Sequence, residues 1–579
     1  MKRAFSMVIM LLIIVSCHNS KKQVKLEAPL FDNLGQHHLE ITTNEALTQR
    51  LFDQGLNLSY GFNHAEAARA FREAARLDPE CAMAYWGIAL VLGPNLNAPM
   101  DPSDMGEVYM AVQNALAKKQ NATEWEQAMI DAIAIRYPDS ITTDRAQFDI
   151  DYAAAMGKVY KRFPDNSDIA TLYAEALMDV HPWDLYTYDG EPKEWTPQIV
   201  SLFETILERW PEHPGANHFN IHAIEASNNP EKAMASADVL RELVPGAGHL
   251  VHMPSHIYIR TGRYHEGSIA NEKAMIADSI YISTCQTQGL YPLLYYPHNI
   301  HFLAATAALE GRGDRSISAS WQLSKRVDTE LMKDPEWATL QHFFSIPYFV
   351  MVKFGQWNRI LELPELVDVP PYPKAIEHYA RGMAYLKQGK VTKAEESLAG
   401  IREIMGDESL QDLTIFGLNL ITDVLEIANH VLTAEIAANK GNYDVAVEHF
   451  QTAINIEDHL IYNEPPDWFF SVRHHLGATL LEMDKYEEAE TIFRQDLAKY
   501  PENGWALNGL MNSLENQDKK EEASEAKKRF DKAWQWANVE LSGSLVAQNS
   551  YDVYDDQDLF KSSLAFHQVK ALPNCGVKQ

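Results

Sequence analysis

The stretch NHAEAARAFREAARLDPE, residues 63–80, decides the fold. Ala67, Phe71, Ala74 and Pro79 fall in it at the spacing A-x3-F-x2-A-x4-P, and Gly55 stands twelve residues before Ala67. Residues 67, 71 and 74 share one face of a helix. Small side chains at Gly55, Ala67 and Ala74 let two antiparallel helices approach closely. Phe71 fills the gap to whatever follows, and the proline stops the second helix. The stretch therefore reads as half of a helical hairpin that needs a neighbour to cover Phe71.

The same pattern recurs along the chain. Gly441, Tyr443, Ala446, Phe450 and Ala453 mark one further copy; Gly477, Tyr486, Ala489, Phe493 and Pro501 mark another; Gly382, Gly389, Ala394 and Leu398 a third. Weaker copies end at Pro164, Pro211 and Pro245. This pattern resembles the tetratricopeptide repeat (TPR), a unit of about 34 residues. A chain of 579 residues would otherwise suggest about four domains, but repeats turn that length into one array. The expected fold is all-α, a right-handed α-solenoid of about eleven or twelve TPR-like hairpins between residues 45 and 535. It divides into N-terminal units (45–213), His-rich units (214–360) and C-terminal units (361–539), preceded by a linker (17–44) and followed by an acidic tail (540–579). Insertions at 93–124, 181–197, 279–297 and 458–468 stretch the period, and such insertions gather on one face and serve binding.

Fifty basic against eighty acidic residues give a formal charge of -30, which disfavours nucleic acid and anionic membrane faces. At the N-terminus, Lys2 and Arg3 precede an apolar run over 4–15, then Ser16 and Cys17. The run is too short to span a bilayer and fits a secretory signal, residues 1–16. It resembles a bacterial lipoprotein signal, in which the cysteine is lipidated, although Val15 stands where a small residue is commoner. That resemblance implies an exported protein of the cell envelope, lipid-anchored through Cys17; a plain signal peptide is the alternative. Cys81, Cys285 and Cys575 read as isolated thiols.

The chemistry lies in the histidines. His218 and His222 recur 34 residues on as His252 and His256. His249 and His252 recur 49 residues on as His298 and His301, and His249 recurs 93 residues on as His342, with Gly262, Gly311 and Gly355 keeping the register. Positions 2, 5 and 9 of four consecutive units thus hold eight histidines in twelve places. These positions share the face of each first helix that lines the concave groove in TPR arrays, so the expectation is a ladder of imidazoles inside the superhelix. An HxxxH pair on one helix suits Zn, Cu or Fe. The expected metal ligands are His218, His222, His249, His252, His256, His298, His301 and Glu225, the last either a ligand or a hold on His222. Residue 219 is Phe, so the HExxH of a zinc protease is absent. His342, Glu175, Tyr295 and Tyr296 are expected to touch the ligand. The loops HPWD (181–184) and YNEPPDW (462–468) could cover it, but read equally well as ordinary connections.

HLVHMPSHIYIRTGRY (249–264), YNEPPDWFFSVRHHLGATLLE (462–482) and AYWGIALVLGPNLN (84–97) resemble a group of exported bacterial TPR proteins, often lipoproteins. The resemblance implies fold and envelope location and carries no activity. Three readings of function stay open: a solenoid that binds a metal or small molecule, or a peptide, in a His-lined groove; a hydrolytic or oxidative metalloenzyme built on the same cluster; and a scaffold for a partner protein.

Overall fold

Phe71 shows why the hairpins stack. A Cβ at Gly55, on the helix Ala46–Ser59, would lie 2.8 Å from its ring, and a Cβ at Gly87, on the helix Ala82–Val91 of the next unit, 2.4 Å. The ring is therefore clamped between two backbones that only glycine can bring so close. Phe493 repeats the arrangement between Gly477 and Gly509.

The computed structural model describes residues 26–137, 145–285 and 290–541. The expected signal peptide with Cys17, and the acidic tail beyond 541, lie outside the described residues. Those residues form stacked helical hairpins in which each helix packs mainly on its neighbours in sequence. The strands are two-residue pieces, Thr414–Ile415 and Asn419–Leu420, paired antiparallel across Phe416 and Gly417. No helix among the described residues is long and apolar enough to cross a membrane.

Two apolar cores run through the array, one over 28–258 and the other over 259–539. They meet in the helix Pro254–Arg260. Pro254 lacks an amide N–H, and here it separates that helix from Gly248–His252. Pro347, by contrast, stays inside the helix Ala338–Lys353.

The array curls until its ends reach its middle. The Tyr60 ring would meet a Cβ at Gly215 at 2.4 Å. Trp505 Nε1 donates to the Ala308 carbonyl at 2.9 Å, and the Tyr264 hydroxyl to the Pro501 carbonyl at 2.6 Å. The His-rich units are therefore covered from both sides by the ends of the array, in addition to the insertions that the sequence offered as covers. Residues 26–44, expected as a linker, are a strap pinned along the N-terminal units: Thr42 bonds Glu126, Phe31 N–H donates to Gln54, and Leu34 and Ile41 are buried. The insertion at 93–124 contains the helix Met105–Lys118, which completes a hairpin with Ala82–Val91.

Replacing Gly87 by Ala should cost about 1–3 kcal/mol through overpacking against Phe71, read as a lower denaturation midpoint by far-UV circular dichroism. Gly106, with nothing within 4 Å of its Cβ site, should tolerate Ala or gain stability from it.

Candidate metal centre

Two sets of three imidazoles form in the His-rich units. His218 and His222, on the helix Pro214–Ile224, join His249 from the next unit; His252 and His256, on either side of Pro254, join His298 from the unit after that. Both sets are built alike, from an i, i+4 pair plus the first ladder position of the following repeat. All of these side chains are buried except His298, which is partly so.

Their proton inventory is fixed from behind. His218 Nδ1 donates to the Tyr60 carbonyl at 2.7 Å, and His252 Nδ1 to Asn271 Oδ1 at 2.6 Å. The Asn271 amide is oriented by its own bond to the Gly267 carbonyl. His222 Nδ1 faces Glu225 Oε1 at 2.8 Å. His256 Nδ1 lies 2.6 Å from Glu225 Oε2 and 2.9 Å from Glu464 Oε2. Each of these Nδ1 atoms therefore carries the hydrogen, and each Nε2 keeps a lone pair whenever its ring is neutral. Two of these nitrogens face each other: His252 and His256 Nε2 are 3.0 Å apart. His218 Nε2 faces His249 Nε2 at 3.1 Å, and His249, whose Nδ1 has no protein partner, is held in neither tautomer. Two imidazole nitrogens bound to one ion at about 2.0–2.1 Å stand about 2.9–3.4 Å apart for angles between square and tetrahedral. The imidazoles are thus already spaced for chelation, and His222 Nε2 is buried with no protein partner.

Burial dominates the titration of most of the group. It pushes His218, His249, His252 and His298 well below the usual histidine range, and neighbouring imidazoles push the same way. His256 is the exception. Burial opposes its charge, but Glu225 and Glu464 outweigh that and hold it at about 9. Glu225 is held far below the usual carboxylate range, since His256 and His222 outweigh its burial, whereas burial raises Glu464. With no ion present, a proton on His256 Nε2 resolves the close approach to His252.

Aromatic rings close the sets. The Phe62 ring centroid is 4.7 Å from His218 and 5.3 Å from His249; the Phe302 centroid is 4.5–5.0 Å from all three rings of the second set. Trp183 meets His222 edge-on at 5.4 Å, and Phe416 meets His298 at 6.0 Å. Phe62, Trp183 and Phe416 all have φ between 52° and 59°, a left-handed backbone that costs a bulky residue energy. A cavity of about 160 Å³ opens against both sets, lined by His222, His249, His256 and His298 together with Tyr295 and Glu464. Beyond Tyr462, Asn463 and Glu464 lies an open groove of about 810 Å³.

The other expected site residues lie elsewhere. His301 and His342 pair with each other at 5.6 Å between centroids, one unit further on, with His301 stacked on Phe469 and His342 bonded to the Tyr372 hydroxyl. They join neither set. Glu175 belongs with Arg136 and Asp179, in the unit before the cluster. Tyr296 turns toward Arg326, while its neighbour Tyr295 faces His249 at 5.1 Å. Glu225 stands behind the imidazoles of both sets, which fits the tautomer-holding role. His474 bonds Lys353 and Asp496, outside the cavity. Tyr60, Phe62, Asn271 and Phe416 carried no sequence signal, because their places depend on the curl of the array.

A third group, His37, Asp168 and His213, has ligand-type atoms close together but the wrong protons. His213 Nδ1 accepts from the Ala216 amide at 3.1 Å, so its hydrogen sits on Nε2, toward Asp168 at 3.4 Å. With Tyr60 OH and His37 Nε2 also on Asp168 Oδ1, at 2.9 and 2.8 Å, this group is a hydrogen-bonded knot that pins the strap.

Comparison with known proteins adds the repeat itself. A tetratricopeptide repeat model matches residues 52–92. No curated protein sequence matches. Among solved structures, a human IFIT1 dimer with m7Gppp-AAAA is 13% identical over 88% of this chain and 96% of its own, with a TM-score of 0.28. The APC/C hetero-tetramer Cut9-Hcn1 is 12% identical over 84% and 76%, with a TM-score of 0.28. The P58(IPK) TPR domain is 11% identical over 82% and 99%, with a TM-score of 0.21. These likenesses carry no argument about function. The repeat match, read with the succession of clamped hairpins, makes this chain an all-α solenoid that carries a tetratricopeptide repeat.

Proposed function

We propose that this protein binds a transition-metal ion, Zn, Cu or Fe, on the imidazoles of its interior and receives a small ligand in the adjoining cavity. One observation carries the reading: four Nδ1 atoms are committed to fixed acceptors, which leaves Nε2 of His218, His222, His252 and His256 as the nitrogens able to take an ion, with His252 and His256 facing each other at chelating distance. Neutral rings so placed repel unless a proton or a metal ion lies between them, and metal-binding histidines are held from behind in this manner. Glu225 and Glu464 supply negative charge that a buried cation requires.

Catalysis is the second reading, and the cavity favours it. Both sets wall the same space, so an ion in either would present an open coordination position to a bound molecule. Glu225 is a poor general base here, since its two oxygens are engaged by His222 and His256. For the scaffold reading, the inward face is filled by the chain itself, and a protein partner would have to use another surface. Export and lipid anchoring through Cys17 remain part of the proposal on the strength of the N-terminal sequence.

Purified protein should retain a stoichiometric transition metal by inductively coupled plasma mass spectrometry, and the combined change of His218, His222, His252 and His256 to Ala should abolish it. A wild-type chain that takes up none under any loading condition would sink the proposal.

The pH dependence has a definite sign. An ion on His256 must displace its proton, so affinity should weaken as pH falls from about 9, with proton release measurable in weakly buffered solution. In chelator-treated protein the folded-state value of about 9 lies above the unfolded value of about 6.5. The stabilisation from that proton is therefore full below about 6.5 and lost as pH rises through about 9. His256→Gln should remove this part of the stability profile, measured by urea unfolding across the range.

A further inference from the structure

The two imidazole sets are copies of one another, and their relation says more than either alone. They follow from one repeat motif, offset by a single unit at 218/252 and 222/256. Each is closed by one phenylalanine, Phe62 or Phe302. Rings of different sets approach at 5.8 Å between centroids for His249 with His252 and at 6.0 Å for His222 with His256. Glu225 ties the sets together, with one oxygen on His222 of the first and the other on His256 of the second.

We propose that the sets form a single binuclear copper centre that binds dioxygen between its two ions. This rests on the metal-binding reading above and goes further by fixing the number, the identity and the coupling of the ions. Three considerations select copper. All six candidate ligand groups are imidazoles, with no thiolate among them, and both nearby carboxylates are occupied on the Nδ1 side. Nitrogen sites of this kind favour copper over the other divalent first-row ions. Three imidazoles in an apolar, ring-closed pocket also suit the low coordination number of the cuprous ion.

Pairing gives the site a reaction. Each cuprous ion gives up one electron, dioxygen accepts both and is reduced to the peroxide level, and both ions are left cupric. Two protons from solvent release the peroxide as hydrogen peroxide, and a small-molecule thiol or an ascorbate-type reductant then returns two electrons to the cupric ions and resets the pair. The cavity beside the ions is walled in part by Trp183, Tyr295, Phe416 and Leu418, so a molecule meeting the reduced oxygen there is small and largely apolar.

The test uses the full chain. Protein stripped of metal is loaded anaerobically with Cu(I), its copper counted, and then exposed to air. Two coppers per chain are expected, with near-ultraviolet absorption appearing on exposure to air and most of the copper silent by electron paramagnetic resonance, because the cupric ions are coupled. His298→Ala and, separately, His249→Ala should each leave one copper, now with a full resonance signal. Should either variant fail to fold, loading wild-type protein with one equivalent and then two makes the same distinction. Two coppers with full signal intensity, one copper at saturation, or preferential retention of zinc in competition would each overturn the binuclear copper centre while leaving metal binding intact. Failure to retain any transition metal would overturn the underlying reading as well.

Discussion

The interior of this protein depends on where the hydrogens of its histidines sit. A buried neutral imidazole has one donor nitrogen and one acceptor nitrogen. Engaging Nδ1 with a fixed acceptor decides which nitrogen is left over and where its lone pair points. The Tyr60 carbonyl, Asn271, Glu225 and Glu464 do this for four rings. The contrast with His213 is instructive: its Nδ1 accepts from a helix amide, its hydrogen moves to Nε2, and a similar-looking trio becomes a structural knot. Distance alone does not separate the two cases, but proton placement does.

The curl of the solenoid makes that arrangement possible. Burying this many imidazoles in an open groove would leave them to water, and their Nδ1 partners would have to come from the same repeats. Here the first hairpin contributes Tyr60 and Phe62, and the loop near 464 contributes a carboxylate, from 158 and 208 residues away in sequence. The rings Phe62, Trp183 and Phe416 arrive on left-handed backbone. Such conformations persist only where the surroundings hold them, and here they gather around one cluster.

Much of the fold was legible in residues 63–80, because the spacing of small residues around Phe71 states how closely two helices must approach. The grouping of His218, His222, His249, His252, His256 and His298 was legible too, through fixed offsets of 34 and 49 residues. Periodicity reports which face of a helix a side chain shares and is silent on how tightly successive units wind. That is why one continuous ladder through His301 and His342 was expected where two closed trios and a separate pair are found. It is also why the loop carrying Glu464 read equally as a cover over the ligand and as an ordinary connection, and why Tyr295 and Tyr296, adjacent in sequence, could not be told apart.

The dependence of His256 on Glu464 has a bearing on biosynthesis. A nascent chain emerging from its N-terminus exposes both histidine pairs long before the segment near 464 exists, and in that interval the imidazoles are solvated and unselective. Closure comes only when the final third of the polypeptide winds back over the middle. The mature interior is therefore the first state in which His256 meets both of its carboxylates.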